Sequence, residues 1–480
     1  MESKRIILWQ YVVFGLFIGI SLLAAGYHER WADEVQAWLI AKEAGWPEII
    51  ANIPHHEGQP VLWIALLKLL LYCFNTPDVL FLSTVIMAVT VWIILFRYDI
   101  PPVYKILIPF GQYFIYQYNV IARNYCLGYL ALALTGLLYK DRHSHRFAYA
   151  ASLLLLAEST TFYAPVAVVL GMAWFCEGWQ ITRGKIKPYL LPISMLAFFG
   201  FVLVWQMLPL PEMSFSDMTS VSIYSRYLYT QNYLLYILKH LFYSLLNFPL
   251  IIAFYIMLCV YLMRNGVVVA ASHTWHGIKA LRIGFVCFLA FMIVFYLAIP
   301  LSYHQGVVWG LFLFVCYISV SGQKPVRANA FFVLLMALQV IRGAAAIFWD
   351  INIPVSAQTQ TADIIRAHTL PDTKIMPVTY SSLPLKLLFE REKLALPPEN
   401  PLYSRWDKDI VTGKQVSDDL YSVLVIGADL ISAYRRYIRN NKSYYLYITP
   451  AYLPFPQTGT FLNHTHYIFI PKAQYIAPKS

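Results

Sequence analysis

Charged side chains are scarce in this chain: Asp, Glu, Lys and Arg together make up 13% of its 480 residues, against 59% hydrophobic residues and a mean hydropathy of +0.56. Soluble globules usually carry an apolar share near ~45–50%, so that class is excluded and a polytopic α-helical membrane protein is expected. Cysteine is sparse as well. Cys73, Cys126, Cys176, Cys259, Cys287 and Cys316 all lie in or beside apolar runs, and none follows residue 316. That leaves no disulfide framework and no CxxC metal site. Internal repeats and low-complexity segments are also missing. The formal net charge of +11 would suit nucleic acid, but the cations sit in short clusters between apolar segments, where they act as topology signals. Nucleic acid is therefore not an expected partner.

What is present is a series of long apolar segments. Lys4 and Arg5 precede the run Ile6–Tyr27, which is long enough to span a bilayer and longer than a signal-peptide core, so it is expected as a retained helix entering from the cytosol. The loop 28–78 then lies outside. Within it, Val35–Ala44 has helical apolar spacing and suits a short interfacial helix, with Trp31, Trp38 and Trp46 as headgroup anchors. Pro60–Phe74 carries Lys68 in its middle and is either a short span or a second interfacial helix. The second choice puts Arg97 and the basic loop Lys140–Arg146 both in the cytosol, as the positive-inside rule asks.

Further spans are expected at Val79–Phe96, Ile106–Ile121 and Leu127–Tyr139, as a hairpin within Phe147–Trp179, and at Pro188–Leu208, Tyr233–Met263, Ile283–Leu301, Val307–Val320 and Ala328–Trp349. The total is about eleven, which places the termini on opposite sides. Residues 1–350 form the membrane domain and 351–480 an extracytoplasmic tail. The tail's strand-like runs YSVLVIGADL and YYLYITP, with helical spacing in ADIIRAHTL and ISAYRRYIRN, predict a small α/β domain.

The unusual polar residues gather on the outer side. Asp33 and Glu34 follow the first span, where a carboxylate can take a proton from an alcohol or amine, or simply cap the next helix. His55, His56 and Glu57 add N and O donors. A divalent ion held by Glu57, His56 and Asp33 is chemically feasible, and so is ordinary solvation at a wet boundary. Arg123 is a lone cation between two apolar helices, which calls for an anionic partner such as phosphate or for snorkelling to the interface. His304 lies in a late outer turn, suited to a phosphate contact, a proton relay or a turn cap. Glu158 and Arg342 also fall near the outer side, Arg342 within reach of Asp350 or a headgroup.

The acidic pair after the first span, the interfacial helices, the stretch HHEGQPVLWI and the Arg of IARNYCLGYL together resemble the membrane glycosyltransferases of the GT-C superfamily, which include protein O-mannosyltransferases and bacterial aminoarabinose transferases. The resemblance is best over residues 1–180 and covers helix order to about 350. It implies a polyprenyl-phosphate-linked sugar donor, a lipid, glycan or protein acceptor and an inverting transfer at an outward-facing pocket of a bacterial cell-envelope membrane. Asp33 would be the catalytic carboxylate and Glu34 its support, Glu57 would lie near a metal, and Arg123 would meet the donor phosphate. The chain departs from the aminoarabinose transferases in having Gly58-Gln59-Pro60 where they place a Lys before the Pro, so Arg123, Lys68 or His304 would supply the phosphate contact. A transporter or flippase of a lipid-linked saccharide is the alternative, since the same cations would hold phosphate without bond cleavage.

Overall fold

A long apolar run without proline has nothing to interrupt a helix, and α1 extends over Glu2–Tyr27 before the polar sequence His28-Glu29-Arg30 ends it. The computed structural model describes residues 2–185, 187–208, 284, 305–320, 330–377, 380–395, 401–403, 422–427, 444–449 and 465–477. After α1 come the short helices α2 (Ala32–Glu43), α3 (Trp46–Ala51), α4 (Ile53–Glu57) and α5 (Leu62–Leu71). Next are α6 (Leu82–Arg97), α7 (Pro102–Leu107), α8 (Tyr125–Tyr139), α9 (Arg146–Ser159), α10 (Ala164–Ile181) and α11 (Lys187–Met207). Among the later described residues, α12 spans Gln305–Val320 and α13 Ala330–Asn352. Pro47, Pro54, Pro102 and Pro165 each sit in the first turn of a helix, where the missing N–H leaves no bond unmade.

The helices alternate in direction. Gln10 Nε2, early in α1, donates to Leu95 O at the end of α6 at 2.7 Å, while Ser83 and Thr84 at the start of α6 donate to Asn119 O, whose own side chain reaches Ser21 late in α1. A buried ionic node closes the end of the bundle that carries the basic loops. Arg142 Nη2 lies 2.8 Å and Nε 2.9 Å from Glu177 Oε2 of α10, and His143 joins the same carboxylate and the Tyr189 hydroxyl of α11. At the opposite end the starts of α8 and α12 approach closely. Tyr129 Oη donates to Gly306 O at 2.8 Å, and a Cβ on Gly306 would stand 2.3 Å from Tyr118 Oη.

Among the described residues five helices, rather than about eleven, are long and apolar enough to cross a membrane: Leu8–Tyr27, Pro77–Arg97, Ala164–Ile181, Lys187–Met207 and Phe332–Asn352. The expected spans Tyr233–Met263 and Ile283–Leu301 fall outside the described residues, Gly284 apart. Ile106–Ile121 is corrected outright. It breaks into the end of α7, a 3-10 turn at Ile108–Phe110 and a π-helical turn at Tyr113–Gln117. Pro109 removes a backbone donor and Gly111 adopts extended backbone, so no continuous helix survives. α8 and α9 have 15 and 14 residues, short of the ~20 needed for a straightforward span.

The interfacial reading of Val35–Ala44 is also revised. Trp31 and Trp38 are each only 5% exposed, and α2 packs against α5 and the 3-10 segment Tyr380–Leu387 of the tail, so its rings face protein. The tail adds α14 (Gln358–His368) and a four-stranded sheet of β1 (Lys374–Pro377), β2 (Ser422–Gly427), β3 (Tyr444–Thr449) and β4 (His466–Pro471) in the order β1-β2-β4-β3. β1 and β2 are parallel and the other pairs antiparallel, with Leu424 opposite Phe469 and Phe469 opposite Leu446. β2 and β3 fall on the two strand-like runs of the sequence. The stretch ISAYRRYIRN lies outside the described residues. The tail is anchored beside the early helices: Glu43 Oε2 accepts from Leu402 N at 2.6 Å, and Glu48 Oε1 accepts from Tyr403 Oη at 2.6 Å.

Candidate active site

Residues 111–122 are buried although they form no regular helix after Gln117, so the backbone and polar side chains of this segment need partners inside the protein. Those partners build the site. Asn119 is tied to α1 and α6 as described, and Ala122 N donates to Glu34 Oε1 at 2.7 Å. Asn124 Nδ2 donates to Gln59 Oε1 and to Ser159 O, both at 2.9 Å. Gln59 Oε1 also accepts from Thr160 Oγ1 at 3.0 Å, and Thr161 donates to Gly58 O at 2.7 Å. The ends of α4, α9 and α11 and the start of α8 therefore meet where α1 ends, opposite the Arg142–Glu177 node.

Asp33 and Glu34 are neighbours with different duties, because successive helical side chains diverge by about 100°. Glu34, 1% exposed, turns inward. Its Oε2 accepts from Trp31 N at 3.0 Å and from His28 Nε2 at 2.8 Å, so it closes the first turn of α2 while joining the bundle. Asp33 turns toward the rim instead. Its Oδ2 lies 2.8 Å from Arg123 Nη1, with the Arg and Asp side chains 18% and 23% exposed. The sequence left Asp33 open as a helix cap, but the cap position is held by Trp31. The guanidinium carbon stands 5.6 Å from the Trp31 ring and 5.4 Å from that of Tyr125, which stacks on Tyr118 at 4.9 Å. A partly buried ion pair is thus bracketed by aromatic faces that favour a cation.

The other described candidates have partners of their own. Lys68 Nζ donates to Ala41 O at 3.1 Å and Ala44 O at 2.7 Å, which commits it to the carbonyl end of α2, a favourable place for a cation. Glu57 Oε1 accepts from Gln36 Nε2 at 2.9 Å. His55 is buried against Trp205 and Leu208 O, while His56 is half-buried. Among the described residues no three His, Cys, Asp or Glu side chains converge on a point that would hold a metal ion. Asp33, His56 and Glu57, the expected donors, do not form such a group. His304 lies outside the described residues. Glu158 is half-buried near the end of α9, and burial raises its pKa from 4.5 to about 7.

Two residues that the sequence did not single out as chemical candidates complete the interior. His28 Nδ1 lies 2.7 Å from Asp350 Oδ2, across 322 positions of chain, while its Nε2 meets Glu34. Burial by itself would lower the His28 pKa, but Asp350 and Glu34 outweigh it and raise the value from 6.5 to about 10; the Tyr116 ring packs edge-on at 6.4 Å. Burial would raise Glu34, and the His28 cation with the Ala122 and Trp31 N–H donors overrides it and holds the carboxyl below its ordinary range. The signal was present in the sequence as polar residues just past the ends of apolar spans, which demand partners.

The sign of the pH dependence follows. Unfolded His28 gives up its proton near 6.5 and folded His28 near 10, so this contribution to stability is whole below about 6.5 and declines until it is lost as pH passes about 10. The melting temperature of the wild-type protein is expected to fall across that window, and His28→Gln is expected to flatten the fall. Equal slopes in the two proteins would separate His28 from the effect.

Comparison with protein-family models, curated proteins and solved structures finds no match to the chain.

Proposed function

We propose that the chain is an integral membrane glycosyltransferase that moves a sugar from a polyprenyl-phosphate-linked donor to a lipid, glycan or protein acceptor, with inversion at the sugar's C1. The reaction takes place at the end of the bundle opposite the basic loops. By the positive-inside rule this end faces outward, and with the resemblance noted above the membrane is a bacterial plasma membrane, with the N-terminus cytoplasmic and the tail extracytoplasmic.

The observation that carries the reading is the Asp33–Arg123 pair at the rim, where a carboxylate and a guanidinium stand 2.8 Å apart. The acceptor hydroxyl attacks C1 and releases its proton to the Asp33 carboxylate. The C1–O bond to phosphate breaks as the new C1–O bond forms, and the electron pair leaves with the polyprenyl phosphate. Charge on that phosphate grows along the reaction, so the Arg123 guanidinium, held in place beforehand, aids the transition state more than the ground state. A guanidinium carries five N–H donors in a planar fork, a geometry suited to a carboxylate and a phosphate together. Further into the bundle, Ile94, Leu132, Phe314 and Met336 line a small apolar pocket, surroundings compatible with part of a prenyl chain.

Binding of undecaprenyl monophosphate, followed by native mass spectrometry of wild-type and Arg123→Ala protein, tests the donor site. Loss of charge-assisted hydrogen bonds worth about 1.5–3 kcal/mol corresponds to roughly 10- to 100-fold weaker binding. Equal affinity in both proteins would leave Arg123 as a snorkelling residue and withdraw the phosphate assignment.

A further inference from the structure

We infer that His28 is a positioning residue for the Asp33–Arg123 pair, holding Glu34 so that the Glu34-to-Ala122 hydrogen bond sets the register of the two chemical groups. The inference rests on the proposed function for its meaning, since only there do Asp33 and Arg123 become base and phosphate ligand.

The geometry is one of adjacent residues. Asp33 precedes Glu34 and Arg123 follows Ala122, so the 2.7 Å bond from Ala122 N to Glu34 Oε1 brings the buried segment against α2 one position away from the 2.8 Å ion pair. A carboxylate can keep that bond only while its own orientation is held. Glu34 Oε2 is fixed from one side by Trp31 N, which belongs to the same helix end and moves with it. His28 Nε2 is the contact that comes from outside α2, and its other nitrogen is fixed by Asp350 at the end of α13. The imidazole and both carboxylates are each no more than 3% exposed at the side chain, so solvent does not loosen the link. His28 thereby ties α1, α2 and α13 to the segment that presents Arg123, without touching Asp33 or Arg123 through any contact described above. Replacing it with a neutral side chain leaves two buried carboxylates without their cation, and Glu34 then turns away from Ala122.

The test uses phenylglyoxal, which condenses with accessible guanidinium groups, on the full-length protein in nanodiscs, with labelling at Arg123 read by peptide mass spectrometry. Arg366, exposed on α14 in the tail, is the internal reference. Asp33→Asn defines the labelling rate when the pair itself is weakened. His28→Gln is expected to raise Arg123 labelling about 3- to 10-fold, as a lost coupling between neighbouring groups implies, while Arg366 labelling stays constant. Asp350→Asn, which keeps the ring and removes only its outer partner, is expected to give a smaller rise and decides the matter should His28→Gln not fold.

Arg123 labelling at the wild-type rate in these variants would overturn the inference, as would parallel rises at Arg123 and Arg366, which mark general loosening. The assay contains no polyprenyl phosphate. Failure of undecaprenyl phosphate to bind would count against the glycosyltransferase reading alone, and the labelling result would still decide whether His28 positions the pair.

Discussion

Asp33→Asn is expected to abolish sugar transfer, with a loss of roughly 10²- to 10⁴-fold, the range a positioned general base contributes. The amide has the size of the carboxylate and can still accept a hydrogen bond from Arg123, so the melting temperature and undecaprenyl phosphate binding should change little. Transfer to a new acceptor molecule, followed in sealed vesicles, separates the possible outcomes. Sugar on a new molecule with the wild-type protein and none with the variant places Asp33 in the chemistry. A fully active variant would remove it. If the wild-type protein moves intact lipid-linked saccharide across the bilayer and releases no sugar, the chain is a transporter and Asp33 has no base to supply.

The second large effect concerns stability. Glu177→Ala should cost about 3–5 kcal/mol, because truncating one partner strands a buried charge. Arg142 and Glu177 are 3% and 2% exposed at the side chain and make two close N···O contacts. The same carboxylate oxygen receives His143, and Trp174 Nε1 donates to Arg142 O, so one substitution loosens the junction of α8, α9, α10 and α11. Replacing both partners with apolar residues of similar volume, Arg142→Met with Glu177→Leu, should cost clearly less than Glu177→Ala alone, since no charge is left without a counterion. Unfolding measured in mixed micelles checks this. A cost below about 1 kcal/mol for the single variant would mean that water reaches the node and that the pair behaves like one at a surface.

The two sites show what linear pattern can and cannot carry. Lys140–Arg146 stood out as a basic loop by composition, yet nothing in it distinguished Arg142 from its neighbours. Its counterion lies in α10, where Glu177 is an isolated acid in an apolar helix. Asp33 and Arg123 stood out separately for a local reason, being charges at the margins of apolar runs. Their meeting depends on the buried segment 111–122, which the apolar composition of Ile106–Ile121 presented as another span. Pro109 and Gly111 were visible in that run, but whether they bend a helix or end it depends on what surrounds the freed backbone groups. Here Asn119, Ser83, Thr84 and Glu34 receive or supply those bonds. Helix α2, with Trp38 and the capping Trp31, posed a similar ambiguity. Indole rings suit a headgroup layer and a protein interior equally, and the tail packed beside α2 decides for the interior.

The sequence by itself determined that the chain is a helical membrane protein, where its apolar segments lie, that its tail differs in kind, and which isolated charges needed partners, because hydropathy, charge scarcity and backbone breakers are properties of short stretches of chain. Tertiary structure alone decided which charges pair. Asp33 with Arg123, His28 with Asp350, and Arg142 with Glu177 are joined over separations that no local pattern spans. The His28 and Arg142 pairings are selected by burial, which penalises a lone charge far more heavily inside the bundle than in water.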